Sequence, residues 1–167
     1  GFLDRIILIE EPFQHPEDID VHGLPARFAG DESIHAVEDI STRMQQGYQA
    51  IAIKPAGKTL SLSLQMIETA AEAGAISFVA DNACVPVLVE WNKNIAARLP
   101  VFPGIKVGIL ESNGPENYGT AWKRMLAEYP NPNASWLTPD RGTFILDEGY
   151  YQESGGIFHT PTAYSDL

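Results

Sequence analysis

Short apolar runs alternate with longer segments of helical periodicity along the first 130 residues. Residues 5–9 form an uninterrupted, largely β-branched run that ends before Pro12, a pattern that predicts a strand buried on both faces. On the helix predicted over 59–73, the apolar residues that share one face are Leu60, Leu64, Ile67 and Ala71. The predicted strands are 5–9, 27–30, 50–53, 76–80 and 105–110, and the predicted helices are 34–46, 59–73, 85–98 and 116–128.

A charged residue follows every predicted strand. Short connections between alternating strands and helices imply right-handed crossovers and a parallel sheet. The charged residues would then meet at one edge of the sheet, where open α/β sheets and closed barrels both place their active sites. They are Glu10, Asp31, Lys54, Asp81 and Glu111.

The pattern changes near Asn131. From there the chain is rich in Pro, Asn, Gly and aromatic residues and shows no obvious helix or long strand. We therefore divide the chain into a strand–helix region, 1–130, and an irregular tail, 131–167. Aromatic rings are expected to anchor this tail. They are Trp136, Phe144, Tyr150, Tyr151, Phe158 and Tyr164.

The composition of the chain limits the kinds of molecule that it is expected to bind. The 167 residues are 44% hydrophobic and carry a formal net charge of −11. This size supports a core without a disulfide or metal clip. The acidic balance argues against nucleic acids and anionic membranes and favours small ligands or metal cations. A single cysteine, Cys84, and the lack of any apolar stretch of about 18 residues lead us to expect a cytoplasmic protein.

Paired carboxylates at neighbouring strand ends suggest a site for a hard cation. Glu10 and Asp31, with the adjacent Glu32, offer the oxygen ligands that Mg²⁺ prefers. Each acid also has a plain structural interpretation. Glu10 could be a solvated strand end, and Asp31, Glu32 and Ser33 could satisfy the free backbone N–H groups of a helix start. Acids at two consecutive strand ends with a lysine at the next favour the metal site.

Lys54 follows the apolar run 50–53 and would emerge beside these acids. It could form a structural ion pair with Asp31 or Asp81. Alternatively it could transfer protons, which requires a lysine whose pKa is lowered toward neutrality by burial or by neighbouring cations.

Asp81 and Glu111 are candidate contacts to a ligand, and each could equally cap a helix. The four histidines show no zinc-binding spacing, and Cys84 has no second cysteine with which to form a zinc or redox motif.

Three ordered motifs resemble the enolase superfamily, specifically its mandelate racemase and muconate lactonizing enzyme branch. They are Ile9-Glu10-Glu11-Pro12, Gly30-Asp31-Glu32-Ser33 and Ile53-Lys54-Pro55. The resemblance covers roughly residues 1–114 and implies the fourth to eighth strands of a modified (β/α)7β barrel of the TIM type. The tail looks like the segment that returns to that family's capping domain.

The resemblance implies a Mg²⁺-dependent enzyme that abstracts the proton α to a substrate carboxylate through an enediolate. It implies Glu10 and Asp31 as two of three metal ligands, with Lys54 as the acid/base. In carrying Lys54 at the end of this strand, the sequence resembles the muconate lactonizing and dipeptide epimerase types. The racemase type would carry an aspartate there and a histidine on the following strand. Here that strand ends in Asp81.

The family features that this sequence lacks are as informative as those that it shares. The Lys-x-Lys motif, the first metal carboxylate and the capping domain of the family have no counterpart in this sequence. Five strands cannot close a barrel, so we expect a fragment that pairs with a missing N-terminal capping and barrel segment and is inactive without it. A homo-oligomer and a small carboxylate substrate are also expected.

Other functions remain open at this stage. The chain could be a self-contained flavodoxin-like module whose acids bind a metal, since five strands also fit an open sheet. It could be a barrel-derived binding protein without catalysis. Within the superfamily, racemase, epimerase, cycloisomerase and acid-sugar dehydratase activities are not distinguished.

Overall fold

The apolar runs pair as parallel strands in chain order. A computed structural model describes residues 1–80 and 83–160. Within these residues, the sheet has the order β1-β2-β3-β4. The strands are β1 (Ile9–Glu10), β2 (Phe28–Gly30), β3 (Ala50–Ile53) and β4 (Ile76–Val79). The helices are α1 (Val37–Gln45), α2 (Leu60–Glu72), α3 (Pro86–Ala96), α4 (Gly114–Tyr118), α5 (Thr120–Ala127) and α6 (Glu148–Glu153). This confirms the predicted α/β class and is consistent with part of a TIM-type barrel.

Strand β3 shows how the sheet is packed. Its small residues face one side, where Ala50 and Ala52 contact a cluster that contains Phe78 and Phe102. Its large residues, Ile51 and Ile53, face the helices on the other side. All four β3 residues are buried, because the alternation of a strand sends successive side chains to opposite faces and both faces are covered.

The first predicted strand is shorter and more exposed than expected. Leu3–Arg5 form a 3-10 turn, and only Ile9 and Glu10 pair with β2. Ile7 is 39% exposed. The prediction of burial on both faces is wrong here: the strand is limited to Ile9 and Glu10, and both residues are only partly buried.

The strand predicted over 105–110 is also reduced. In the described residues it contributes a parallel bridge between Leu110 and Val79. Before it, the Phe102 N–H donates to the Val107 carbonyl, so that the chain turns back on itself. The bridge is sufficient to bring Glu111 to the sheet, since its N–H donates to the Val79 carbonyl at 2.9 Å.

Helix boundaries follow local capping. Helix α1 begins at Val37 rather than at 34, because the Asp39 carboxylate accepts hydrogen bonds from the N–H groups of His35 and Ala36. The helix predicted over 116–128 is split into α4 and α5 at Gly119, whose φ of +51° leaves the helical region.

The tail folds back onto α3 and contains a short helix, α6, that the sequence pattern did not reveal. Its aromatic residues Trp136 and Tyr150 are buried in one cluster with Tyr129 and Leu137. Among the described residues, no helix is long and apolar enough to cross a membrane.

A buried ion pair lies beneath the tail. The Nζ of Lys93 is 2.5 Å from the Oε1 of Glu90, and both side chains are 2% exposed. The same Nζ donates to the carbonyl of Trp136 at 2.7 Å and lies 3.9 Å from the ring centre of Phe144. Burial raises the pKa of Glu90 to about 7 and lowers the pKa of Lys93, although each partner opposes the shift of the other.

Candidate functional site

The parallel register brings the predicted strand-end residues to one cleft. Glu10 pairs with Ala29 and Gly30 with Ile51, so β1, β2 and β3 end at the same edge of the sheet. The cleft at this edge has a volume of about 400 Å³. Its lining residues are Glu10, Glu11, Asp31, Glu32, Lys54, Glu111 and Asn113. Within the part of the chain that the structure describes, the cleft therefore gathers five carboxyl groups around one lysine.

Asp31 and Lys54 form the central ion pair. The Lys54 Nζ lies 2.6 Å from the Asp31 Oδ1, and the side chains are 16% and 6% exposed. The predicted alternative in which Asp31 caps a helix is not what the structure shows, because Asp39 caps α1. Asp31 instead follows Gly30, a position at which an added Cβ would lie 2.7 Å from the Ile34 Cδ1. A side chain at position 30 would therefore overlap Ile34, and glycine allows the α1 connection to pack closely against β2.

Glu11 contributes to the site although the sequence analysis did not select it as a site residue. Its backbone has a φ of +31°, and this turn directs the carboxylate back toward Asp31, whose N–H donates to the Glu11 Oε2 at 2.5 Å. The other oxygen, Oε1, is buried without a hydrogen-bond partner. The sequence signal was the second acid before Pro12, but a positive φ at a glutamate is not readable from the sequence.

Glu10 is strongly perturbed by its surroundings. Burial is the largest cause that raises its pKa, to about 8, followed by its hydrogen bond to Asp31 and by the negative charges of Asp31, Glu111 and Glu32. The raised pKa favours the protonated form of Glu10, whose O–H donates a hydrogen bond to Asp31. Crowded carboxylates of this kind are stabilised either by protons or by a bound cation.

Lys54 is held in its charged form. Burial alone lowers its pKa, but the hydrogen bond and ion pair with Asp31 and the charges of Glu32 and Glu10 outweigh burial and raise the pKa above the usual value. This direction matches the predicted ion pair with Asp31. It is opposite to the lowered pKa that proton abstraction requires.

The remaining predicted residues are placed differently. Glu32 points outward, with a side chain that is 72% exposed and an Oε1 3.9 Å from the Lys54 Nζ. Glu111 lines the cleft, and its Oε1 accepts from the Asn113 Nδ2 at 3.4 Å. Asp81 lies outside the described residues.

The carboxylate oxygens of the cleft are of the type that binds a hard cation, but their arrangement does not complete a metal site. The buried Asp31 Oδ1 makes no hydrogen bond beyond its ion pair, and the Glu11 Oε1 has none. Carboxylate oxygens are the ligands that Mg²⁺ prefers. In the described parts of the chain, however, no three His, Cys, Asp or Glu side chains are grouped so that they could hold a metal ion. Glu10 and Asp31 thus form a partial donor set.

Comparison with known proteins bears on the fold. No protein-family model and no curated protein matches the sequence. Among solved structures, the chain is similar to the crystal structure of a mandelate racemase/muconate lactonizing protein from Herpetosiphon aurantiacus, with a TM-score of 0.53 and 21% sequence identity. The match covers 66% of this chain and 31% of that protein. Most of the described chain therefore has the fold of a part, less than a third, of a larger α/β protein.

Proposed function

We propose that this chain is part of a Mg²⁺-dependent enzyme of the enolase superfamily that moves the proton α to a substrate carboxylate. The observation that carries the proposal is the cleft at the carboxyl edge of the sheet, where Glu10, Asp31 and Lys54 meet in the order of the sequence motifs. The structural likeness to a mandelate racemase/muconate lactonizing protein supports the fold that this function needs. Racemase, epimerase, cycloisomerase and dehydratase chemistry all fall within the proposal.

Glu10 and Asp31 would hold the metal. A bound Mg²⁺ would supply positive charge to a substrate carboxylate and to the negative charge that develops when the α-proton leaves. The third ligand must come from outside the described residues, since these supply only a partial donor set. This requirement agrees with the small share of the similar structure that the chain covers, and it is the reason we propose that the chain alone is inactive.

Lys54 would handle the proton. Asp31 keeps the pKa of Lys54 high, so that its Nζ stays protonated, and we propose that this proton is the one delivered into the cleft. Acting as a base requires that the charge of Asp31 be engaged elsewhere, for example by a cation. Burial, which lowers the pKa of Lys54, then becomes the dominant influence. The same two residues would thus couple cation binding to the protonation state of the lysine.

Metal binding is the first test, and it does not require the missing segment to be known. Because the chain supplies only two of the proposed ligands, titration calorimetry with Mg²⁺ is expected to show one weak site in the wild-type chain, completed by water, and none in Asp31→Asn. Glu128→Gln, which removes an exposed carboxylate outside the cleft, should bind like the wild type. Equal binding by Asp31→Asn would contradict the proposed ligand.

Activity is tested in the assembled protein. A polypeptide that co-purifies with this chain would be sought by intact mass and retained. Exchange of the α-hydrogen of carboxylic acids would then be followed by NMR in D₂O. We expect Mg²⁺-dependent exchange that Lys54→Ala abolishes while Mg²⁺ binding is retained. An assembly that binds carboxylates without exchange would favour the non-catalytic binding protein, and exchange by the isolated chain would refute its proposed inactivity.

A further inference from the structure

Glu11 is an acidic residue with a strained backbone. Its φ of +31° lies in the left-handed region, which a residue with a side chain rarely adopts. Pro12 follows directly and restricts the backbone of Glu11 further. Strain of this kind persists only where the surrounding contacts hold it, and it is concentrated at functional sites. The contacts of Glu11 therefore indicate what the strain serves.

The hydrogen bonds between β1 and β2 show what the turn at Glu11 changes. In a parallel pair of strands, N–H and C=O groups bond to the neighbouring strand in even steps. The Ile9 N–H donates to the Arg27 carbonyl at 2.8 Å, and the Glu11 N–H donates to the Ala29 carbonyl at 3.0 Å. The next bond in this series would join the Asp31 N–H to the Glu11 carbonyl.

The side chain of Glu11 takes the place of its own carbonyl at this position. The Asp31 N–H donates to the Glu11 Oε2 at 2.5 Å. A hydrogen bond to a charged carboxylate is stronger than one to a neutral carbonyl. The bond that ends the series between β1 and β2 is thus made by a side chain, and its donor is the backbone of a proposed metal ligand.

The carboxylate of Glu11 has an electrostatic cost that the backbone carbonyl would not have. Glu11 lines the same cleft as Glu10, Asp31 and Glu111. Its Oε1 is buried without a hydrogen-bond partner, and burial of such a group is unfavourable. A cation in the cleft offsets this cost, because its positive charge attracts all of these carboxylates. A carboxylate at position 11 is therefore better explained by ligand binding than by the fold alone.

We infer that Glu11 is a positioning residue, which holds Asp31 in place for the cation of the cleft; this inference rests on the proposed function. Gly30 precedes Asp31 and has no side chain that would restrict its own backbone. The hydrogen bond at the Asp31 N–H supplies this restriction. The Asp31 carboxylate then keeps its direction when it exchanges Lys54 for a cation, and Glu11 need not touch the cation itself.

Two neutral variants separate the hydrogen bond of Glu11 from its charge. Glu11→Gln keeps an oxygen that accepts from the Asp31 N–H, whereas Glu11→Met has a side chain of similar length without this acceptor. Hydrogen exchange of the Asp31 amide is followed by NMR in the metal-free 167-residue chain. We expect exchange about tenfold faster in Glu11→Met than in the wild type, and close to the wild-type rate in Glu11→Gln.

Mg²⁺ affinity tests whether this hydrogen bond acts on the cleft. NMR titration should show that Glu11→Met binds Mg²⁺ about fivefold more weakly than Glu11→Gln, because both variants lack the charge and only Glu11→Gln holds Asp31. The same two substitutions at Glu128, which is exposed and lies outside the cleft, are the matched controls and should bind like the wild type. Circular dichroism verifies folding, and Glu11→Ala takes the place of Glu11→Met if the latter does not fold.

Equal exchange of the Asp31 amide in the wild type and in Glu11→Met overturns the inference. Equal Mg²⁺ affinity of Glu11→Gln and Glu11→Met overturns it as well, since the hydrogen bond would then serve the fold alone. A wild-type chain that does not bind Mg²⁺ refutes the proposed function instead, and the exchange of the Asp31 amide then still decides whether Glu11 holds Asp31.

Discussion

The protein contains two lysine–carboxylate pairs of nearly equal length in opposite surroundings. Lys54 and Asp31 lie 2.6 Å apart at the mouth of the sheet, while Lys93 and Glu90 lie 2.5 Å apart beneath the tail. In the cleft, the surplus of carboxylates outweighs burial and raises the pKa of Lys54. Beneath the tail, burial outweighs the partner, and the pKa of Lys93 is lowered.

The comparison shows that the surroundings of a lysine–carboxylate pair determine the direction in which the pKa of its lysine shifts. The buried pair has its partners fixed by the fold: Nζ is held by Glu90, by the Trp136 carbonyl and by the Phe144 ring. It therefore attaches the tail to α3. The cleft pair borders an open volume with four further carboxyl groups, so that Asp31 can exchange its partner. The proposed cation site would need such an exchange, since Asp31 is its proposed ligand.

The largest expected effect is the loss of Lys93. Lys93→Met leaves the Glu90 carboxylate buried without a counter-charge, and we expect the free energy of unfolding to fall by about 3–5 kcal/mol in urea titrations. Lys54→Met should cost about 1 kcal/mol, because water reaches the cleft.

The double variant Lys93→Met with Glu90→Leu provides the control for this prediction. It removes both charges and should recover at least half of the lost stability. A loss below about 1 kcal/mol in Lys93→Met would show that the two pairs are equivalent.

The buried pair should also make stability depend on pH. The folded-state pKa of Glu90, about 7, lies above its usual 4.5. Below pH 4.5 both folded and unfolded states are protonated. Between 4.5 and 7 only the folded state keeps the proton, so its contribution to stability is lost as pH rises through that range. The depressed pKa of Lys93 acts in the opposite direction at alkaline pH.

Urea titrations of the wild type and Glu90→Gln at pH 5 and pH 7.5 isolate this contribution. The stability of the wild type relative to Glu90→Gln should fall by about 2–4 kcal/mol between the two pH values. A constant difference would mean that Glu90 is ionised throughout.

A glycine beside the buried pair offers a smaller, structural test. At Gly155, φ is +68° and an added Cβ would lie 2.7 Å from the Glu90 Oε2 and 2.8 Å from the Tyr150 Cε2. Gly155→Ala should cost about 2–3 kcal/mol in thermal unfolding, from both backbone strain and overlap. Gly142→Ala is the matched control, because Gly142 has a similar φ of +77° and open space around it, and should cost only about 1 kcal/mol. Equal costs would exclude overlap.

The smallest effect concerns the cleft. Lys54→Ala removes the cation that occupies the Asp31 Oδ1, and we expect Mg²⁺ to bind three- to tenfold more tightly, a gain of about 1 kcal/mol. Lys93→Ala should leave Mg²⁺ affinity unchanged, because the pair beneath the tail lies outside the cleft that holds Asp31. Weaker Mg²⁺ binding by Lys54→Ala would mean that the lysine organises the ligands rather than competing with the metal.

Several strands and helices of the fold were predictable from the sequence because they depend on local periodicity. The runs at β3 and β4 and the helices α2 and α3 were predicted close to their observed limits. The spacing of Glu10, Asp31 and Lys54 by one strand–helix unit predicted their meeting at one edge of the sheet. The strands predicted over 5–9 and 105–110 are longer than the observed ones. Pairing at the ends of the described sheet depends on neighbouring strands, which the local sequence pattern does not describe.

The sequence by itself determined the α/β class, the parallel direction of the strands and the edge where the charged residues gather. These follow from chain connectivity and side-chain period. Only the tertiary structure decided which charge meets which. Asp31 pairs with Lys54, the backbone turn at Glu11 returns its carboxylate to Asp31, and α3 buries Glu90 and Lys93. Such outcomes depend on burial and on contacts between residues far apart in the chain, which decide whether desolvation or the partner's charge prevails.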